Sequence, residues 1–264
     1  MALFLMEHTK VAPQVSLEEA LGGLVELMID GNSLTEAIYR ADFTIHQRTQ
    51  TLTEEGKMAE AAGAAKNFLV KAWAKIKEFA IKVYEKVKQV VIALVDRVAK
   101  MFGSSKIDAG QQYKVNKVSF EKCGAAASAI ATITKQILSA ADKEAVEAKV
   151  EAARKAVTLD ASDQEKITVK GSEVLAKAKA IEGTVKGMSA DLEAVKKAVA
   201  DADKAVEALS KKADASDAEK ETAQKAVEVA KARASGASQT ASIANGLVAM
   251  LLKLSPVFVK EEAK

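Results

Sequence analysis

His8 and His46 are the only histidines of the chain, and Cys123 is its one cysteine. Nucleophilic or general-base catalysis needs such groups to converge with an orienting partner. Here both histidines fall in one short acidic stretch, far along the chain from the thiol. Cys123 sits in "EKCGAAASAIA", among small apolar neighbours, and reads as a helix contact rather than a nucleophile. A lone cysteine forms no internal disulfide and builds no thiolate metal centre by itself. The phosphate-binding G-x-x-x-x-G-K-[ST], the dinucleotide G-x-G-x-x-G, the zinc-type H-E-x-x-H and the nucleophile elbow G-x-S-x-G are all missing. Carboxylates are plentiful but alternate with lysines at helical spacing, which is surface pairing rather than acid–base chemistry. The expectation is a non-enzyme without catalytic residues, metal or cofactor.

What remains is charge, and it is unevenly spread. Residues 1–57 hold nine acids and four bases, which leaves 35 of the 39 bases and 27 of the 36 acids to the rest. The overall charge of +3 therefore hides an acidic head on a basic body. An imbalance of this kind raises the question of what the basic body meets.

The basic character is sharpest in "AWAKIKEFAIKVYEKVKQVVIALVDRVAKMF", residues 72–102. At 100° per residue, Leu69, Trp73, Ile76, Ala80, Val83, Val87, Val90, Leu94, Val98 and Met101 share one arc of a helix. Lys71, Lys75, Lys82, Lys86, Arg97 and Lys100 gather on the far side. A membrane span is excluded, because each lysine near the bilayer centre costs about 2.5–3.5 kcal/mol. Three roles stay open. The apolar arc packs into the protein's own core, the lysines contact nucleic acid without reading sequence, or the helix lies on a membrane surface. The first two are compatible and are expected together.

The elements that must position this rod are helical as well. Alanine, lysine and glutamate dominate, with two prolines and 4% aromatics, the composition of long helices. The regions expected are a head over 1–57, a long amphipathic helix within 58–106, a linker over 107–117, and alanine- and lysine-rich helical hairpins over 118–264. In the head, Ser16 with Glu19 and Ser33 with Glu36 are spaced as capping boxes on either side of a turn at 30–32. Gly103 is a stop signal for the long helix.

An internal repeat runs through the last region. "DASDQEKIT" at 160–168 recurs as "DASDAEKET" at 214–222, and "LAKAKA" at 175–180 aligns with "VAKARA" at 229–234 in the same register. Each copy should cap a helix through Ser162 or Ser216. Four helices are expected, over 118–158, 163–187, 189–213 and 216–254, with Ser255-Pro256 ending the last. The third carries a heptad seam of Leu192, Val195, Val199, Ala202, Val206 and Leu209. The fold class is all-α: a long amphipathic helix plus an antiparallel bundle or coiled-coil hairpins.

This order of parts resembles the internal head proteins of large tailed bacteriophages, most clearly in "KNFLVKAWAKIKEFAIKVYEKVKQVVIALVDRVAKMFGSSK". The resemblance implies a virion protein packaged inside the capsid with the genome, and present in the host cytoplasm during assembly. It also implies an acidic propeptide removed by a head protease that cuts after glutamate. Leu52-Thr53-Glu54 fits that pattern and lies where the charge changes sign. Non-specific DNA, capsid or head scaffold proteins and the protease would be the partners. "MALFLMEHTK" lacks the basic start and long apolar run of a secretory signal. Two alternatives differ in class. One is a toxin-like membrane-active protein using 68–102 on lipid. The other is a coiled-coil structural protein that self-associates through its alanine seam at 189–254.

Overall fold

A computed structural model describes residues 57–103, 106–140, 142–158, 165–212, 215–254 and 257–258, with further helical positions between 16 and 26 and between 50 and 54. The expected turn at 30–32, the caps at Ser33 and Ser162, and the Ser255-Pro256 stop lie outside the described residues.

The longest element is α1, Met58–Phe102, 45 residues and about 67 Å at 1.5 Å per residue. It ends where Gly103 donates its N–H to Ala99 O at 3.0 Å. After it come β1 (Gln112–Asn116), α2 (Lys117–Ser139), α3 (Lys143–Val157), β2 (Lys166–Lys170), α4 (Gly171–Asp191), α5 (Glu193–Ser210), α6 (Asp217–Leu252) and β3 (Val257–Phe258). The fold is all-α in character, with a small three-stranded sheet in the order β2-β1-β3.

Two departures from expectation lie between α1 and α3. The stretch 107–117 is no linker, because residues 112–116 pair antiparallel with β2, Tyr113 opposite Val169 and Val115 opposite Ile167. Tyr113 and Val115 are buried alternately along it, the period-two pattern of a strand with one face covered. The single helix expected over 118–158 breaks at Ala140, and α3 restarts at an Asp142 side chain that accepts from Ala145 N at 2.8 Å. No glycine or proline marks this break. The capping aspartate is its one local signal.

The repeat is expressed differently in its two copies. Ser216 caps α6 as expected, accepting from Glu219 N at 3.4 Å while Glu219 Oε2 accepts from Ser216 N at 3.0 Å. In the other copy the helix expected from 163 starts only at Gly171, and strand β2 stands in its place. The sequences diverge after the shared lysine: Ile167-Thr168-Val169 is β-branched, whereas Glu221-Thr222-Ala223 is not a strand sequence. β1 and β2 stand at the offset of the two nonapeptides, and each runs directly into a helix. The helices that follow, α2 and α4, pack on one another.

Gly171 holds that corner. A Cβ there would lie 1.9 Å from Asp108 O and 2.9 Å from Tyr113 Cε2. The close approach lets Gly171 N donate to Gln111 O at 2.8 Å and Ser172 N to Ala109 O at 3.0 Å.

α6 is the central helix and packs against α1, α2, α3, α4 and α5. Its small residues permit this: Gly236 meets Ile137 so closely that a Cβ would stand 2.7 Å from Ile137 Cγ2. The seam residues of α5 are all buried, with Leu192 just outside the helix as its cap. They face α6 and α1, so this seam is closed within the chain. Regions 58–106 and 118–264 therefore share one continuous core, and among the described residues the second region contributes five helices rather than the four expected.

Candidate polyanion-binding face

Viewed down its axis, α1 divides into sectors. Trp73, Ile76, Val83, Val87, Val90, Leu94 and Val98 are buried, and Leu69 is half-buried against the same core. Met101 departs from the expected stripe. It is 49% exposed, and its neighbour Phe102 turns inward instead. On the opposite flank Lys71, Lys75, Lys82 and Lys100 are exposed, while Lys86 and Arg97 are half-buried. Lys82 is held by Glu78 at 2.7 Å. Among the described residues no acid pairs with Lys71, Lys75 or Lys100.

Polar contacts with α5 fix the rotation of α1 and so decide which flank faces out. Trp73 Nε1 donates to Asp203 Oδ1 at 3.0 Å, and Lys77 Nζ donates to Oδ2 at 2.7 Å. Lys77 first, and then the indole, hold the Asp203 carboxyl below its ordinary range. Further along the helix, Tyr84 Oη donates to Glu193 Oε1 at 2.6 Å, and Lys196 lies 4.6 Å over the tyrosine ring. Burial, reinforced by Glu193, raises the Tyr84 phenol, while the phenol hydrogen bond is the main cause lowering Glu193. Neither pairing is visible in the sequence, because each partner lies more than a hundred residues away. The polar atoms of Trp73 and Tyr84, on an otherwise apolar face, are the only hint.

The acidic head reaches the cationic flank. Ser16 caps a helical stretch of the head, Glu19 N donating to Ser16 Oγ at 3.1 Å, and the described residues from 18 to 26 are helical. Ala20 is buried in the common core. Glu18 lies 4.0 Å from Arg97, and a Cβ on Gly23 would stand 3.0 Å from Lys86 Nζ. The two half-buried bases are the two that the head approaches.

No protein-family model, curated protein or solved structure matches the chain.

Of the expected cleavage tripeptide, Thr53 and Glu54 are helical and exposed, and Leu52 lies outside the described residues. Cys123 is fully buried, and burial pushes its thiol up to about 12. A thiol so protonated is a poor nucleophile at neutral pH. Among the described residues no three His, Cys, Asp or Glu side chains gather as a metal site, and no helix is long and apolar enough to cross a membrane.

Proposed function

We propose that the chain is a non-enzymatic internal head protein of the tailed-phage type, packaged with the genome and associated with DNA through sequence-independent contacts. One observation carries this reading: α1 commits its apolar flank to the core and leaves a lysine flank outward, with the acidic head laid against Arg97 and Lys86. From Lys66 to Lys100 this rod carries nine bases and three acids. A line of that charge replaces counterions along a phosphate backbone without reading bases. The head lowers the field of the flank during assembly. Cleavage after Glu54 removes it, uncovers two further cations and leaves a more basic body.

The burial of the Trp73 stripe favours this over adsorption to lipid, since interfacial binding draws on an apolar face free to leave water. Mass spectrometry of purified particles tests the reading. Peptides from 55 onward should be present and those from 1–54 missing, and the full chain should bind duplex DNA with an affinity that falls steeply with salt. Absence from particles, or binding to anionic vesicles that survives about 0.5 M salt while DNA is ignored, would overturn it.

A further inference from the structure

Between the buried and cationic flanks of α1 runs a third line that neither uses. Ala74, Ile81, Glu85, Lys88, Ile92 and Ala99 are all exposed, and at 100° per residue they fall within about 60° of one another. Ile81 and Ile92 are 41% and 52% exposed, two of the four large apolar side chains left open among the described residues. Both line a groove of about 790 Å³ between α1 and α5, together with Tyr84, Lys196 and Val199.

We infer that a second copy of this chain occupies this face, its α1 running antiparallel to the first. The order along the line reads Ala, Ile, acid, base, Ile, Ala, and it reverses onto itself with the charges exchanged. A two-fold axis passing between Lys86 and Val87 therefore sets Ile81 against Ile92 of the second copy and Glu85 against its Lys88. The spacings of four and three residues are those of heptad layers in an antiparallel helix pair. Alanine at each end lets the helices stay close along about 37 Å. Parallel pairing would oppose Glu85 to glutamate and Lys88 to lysine, which selects the antiparallel sense. The remaining layer, Glu78 against Val95, is a polar margin in which Glu78 is already held by Lys82.

Such an interface is isologous, the same patch on both copies. Its two-fold axis places both lysine flanks on one side of the pair and doubles the cationic surface. That consequence rests on the DNA reading above, whereas the pairing itself does not.

Sedimentation equilibrium of the full chain over about 1–100 µM tests the pairing. The chain should dimerise, and Glu85→Lys or Lys88→Glu alone should raise the dissociation constant about tenfold or more. The double variant E85K/K88E should recover the original value, because it restores opposite charges across the two-fold. Both positions are exposed, so circular dichroism should remain unchanged. A monomer at every concentration, single variants that dimerise as well as the parent, or a double variant without recovery overturns the inference. A monomer that still binds DNA leaves the functional reading standing, and a dimer that ignores DNA overturns that reading alone.

Discussion

Trp73 Nε1 and Asp203 Oδ1 meet at 3.0 Å across 130 positions of sequence, and Lys77 Nζ completes the site on the other carboxylate oxygen at 2.7 Å. This contact pins α5 to α1. Asp203→Ala should lower the unfolding free energy by about 1 kcal/mol in urea titrations, a value kept small because the carboxylate is partly open to water. The pH dependence has a definite sign. The folded pKa of Asp203 lies below its unfolded value, so its stabilisation is present above the unfolded carboxylate range. It is lost as pH falls through the folded pKa. The gap between parent and variant should therefore close in acid.

Gly171→Ala would drive a Cβ to 1.9 Å from Asp108 O, a backbone atom that cannot turn aside. The β1–β2 corner would have to open, and a loss of about 3 kcal/mol or more is expected. Gly183 provides the contrast. It lies inside α4, where an added Cβ would meet nothing within 4 Å, so Gly183→Ala should be neutral or stabilise by about 0.5–1 kcal/mol. Thermal denaturation of the two variants separates the cases.

Cys123 should stay silent toward thiol reagents in the native protein near neutral pH. Its thiol is fully buried and pushed up to about 12, so labelling must wait for opening of the core. Reaction should become rapid once denaturant is added, as followed by reagent absorbance. Prompt native labelling would contradict this packing.

Lys71→Ala together with Lys75→Ala removes two exposed bases without touching the core. If both meet phosphate, the slope of log affinity against log salt should become shallower by about 0.9 for each phosphate no longer neutralised. Fluorescence anisotropy with duplex DNA at several salt concentrations reads this directly. An unchanged slope would move the DNA-binding surface elsewhere on the molecule.

How much of the fold and of the cationic face is legible in the sequence differs by element. The α1 stripe from Trp73 to Val98, the Gly103 stop, the Ser216 cap and the α5 seam are all readable, because each is a pattern within a few turns of one helix. Phe102 takes the buried place expected of Met101 at the end of that pattern, where a helix terminus no longer constrains which side is covered. The β1–β2 pair escapes such a reading because a strand of five residues is stable only against a partner, and that partner lies beyond the reach of local pattern.

Composition and periodicity by themselves determined that the chain is helical, that α1 has one apolar and one cationic flank, and that acid is concentrated before residue 58. These are short-range properties, set by side-chain type and the turn of a single helix. Only the tertiary structure decided which partner covers each apolar flank, that Glu18 and Gly23 of the head lie against Arg97 and Lys86, and that residues 166–168 of one repeated nonapeptide enter a strand while the other copy caps a helix. Those outcomes depend on which distant surfaces meet, and the free energy that selects among them comes from burial and pairing across the whole chain.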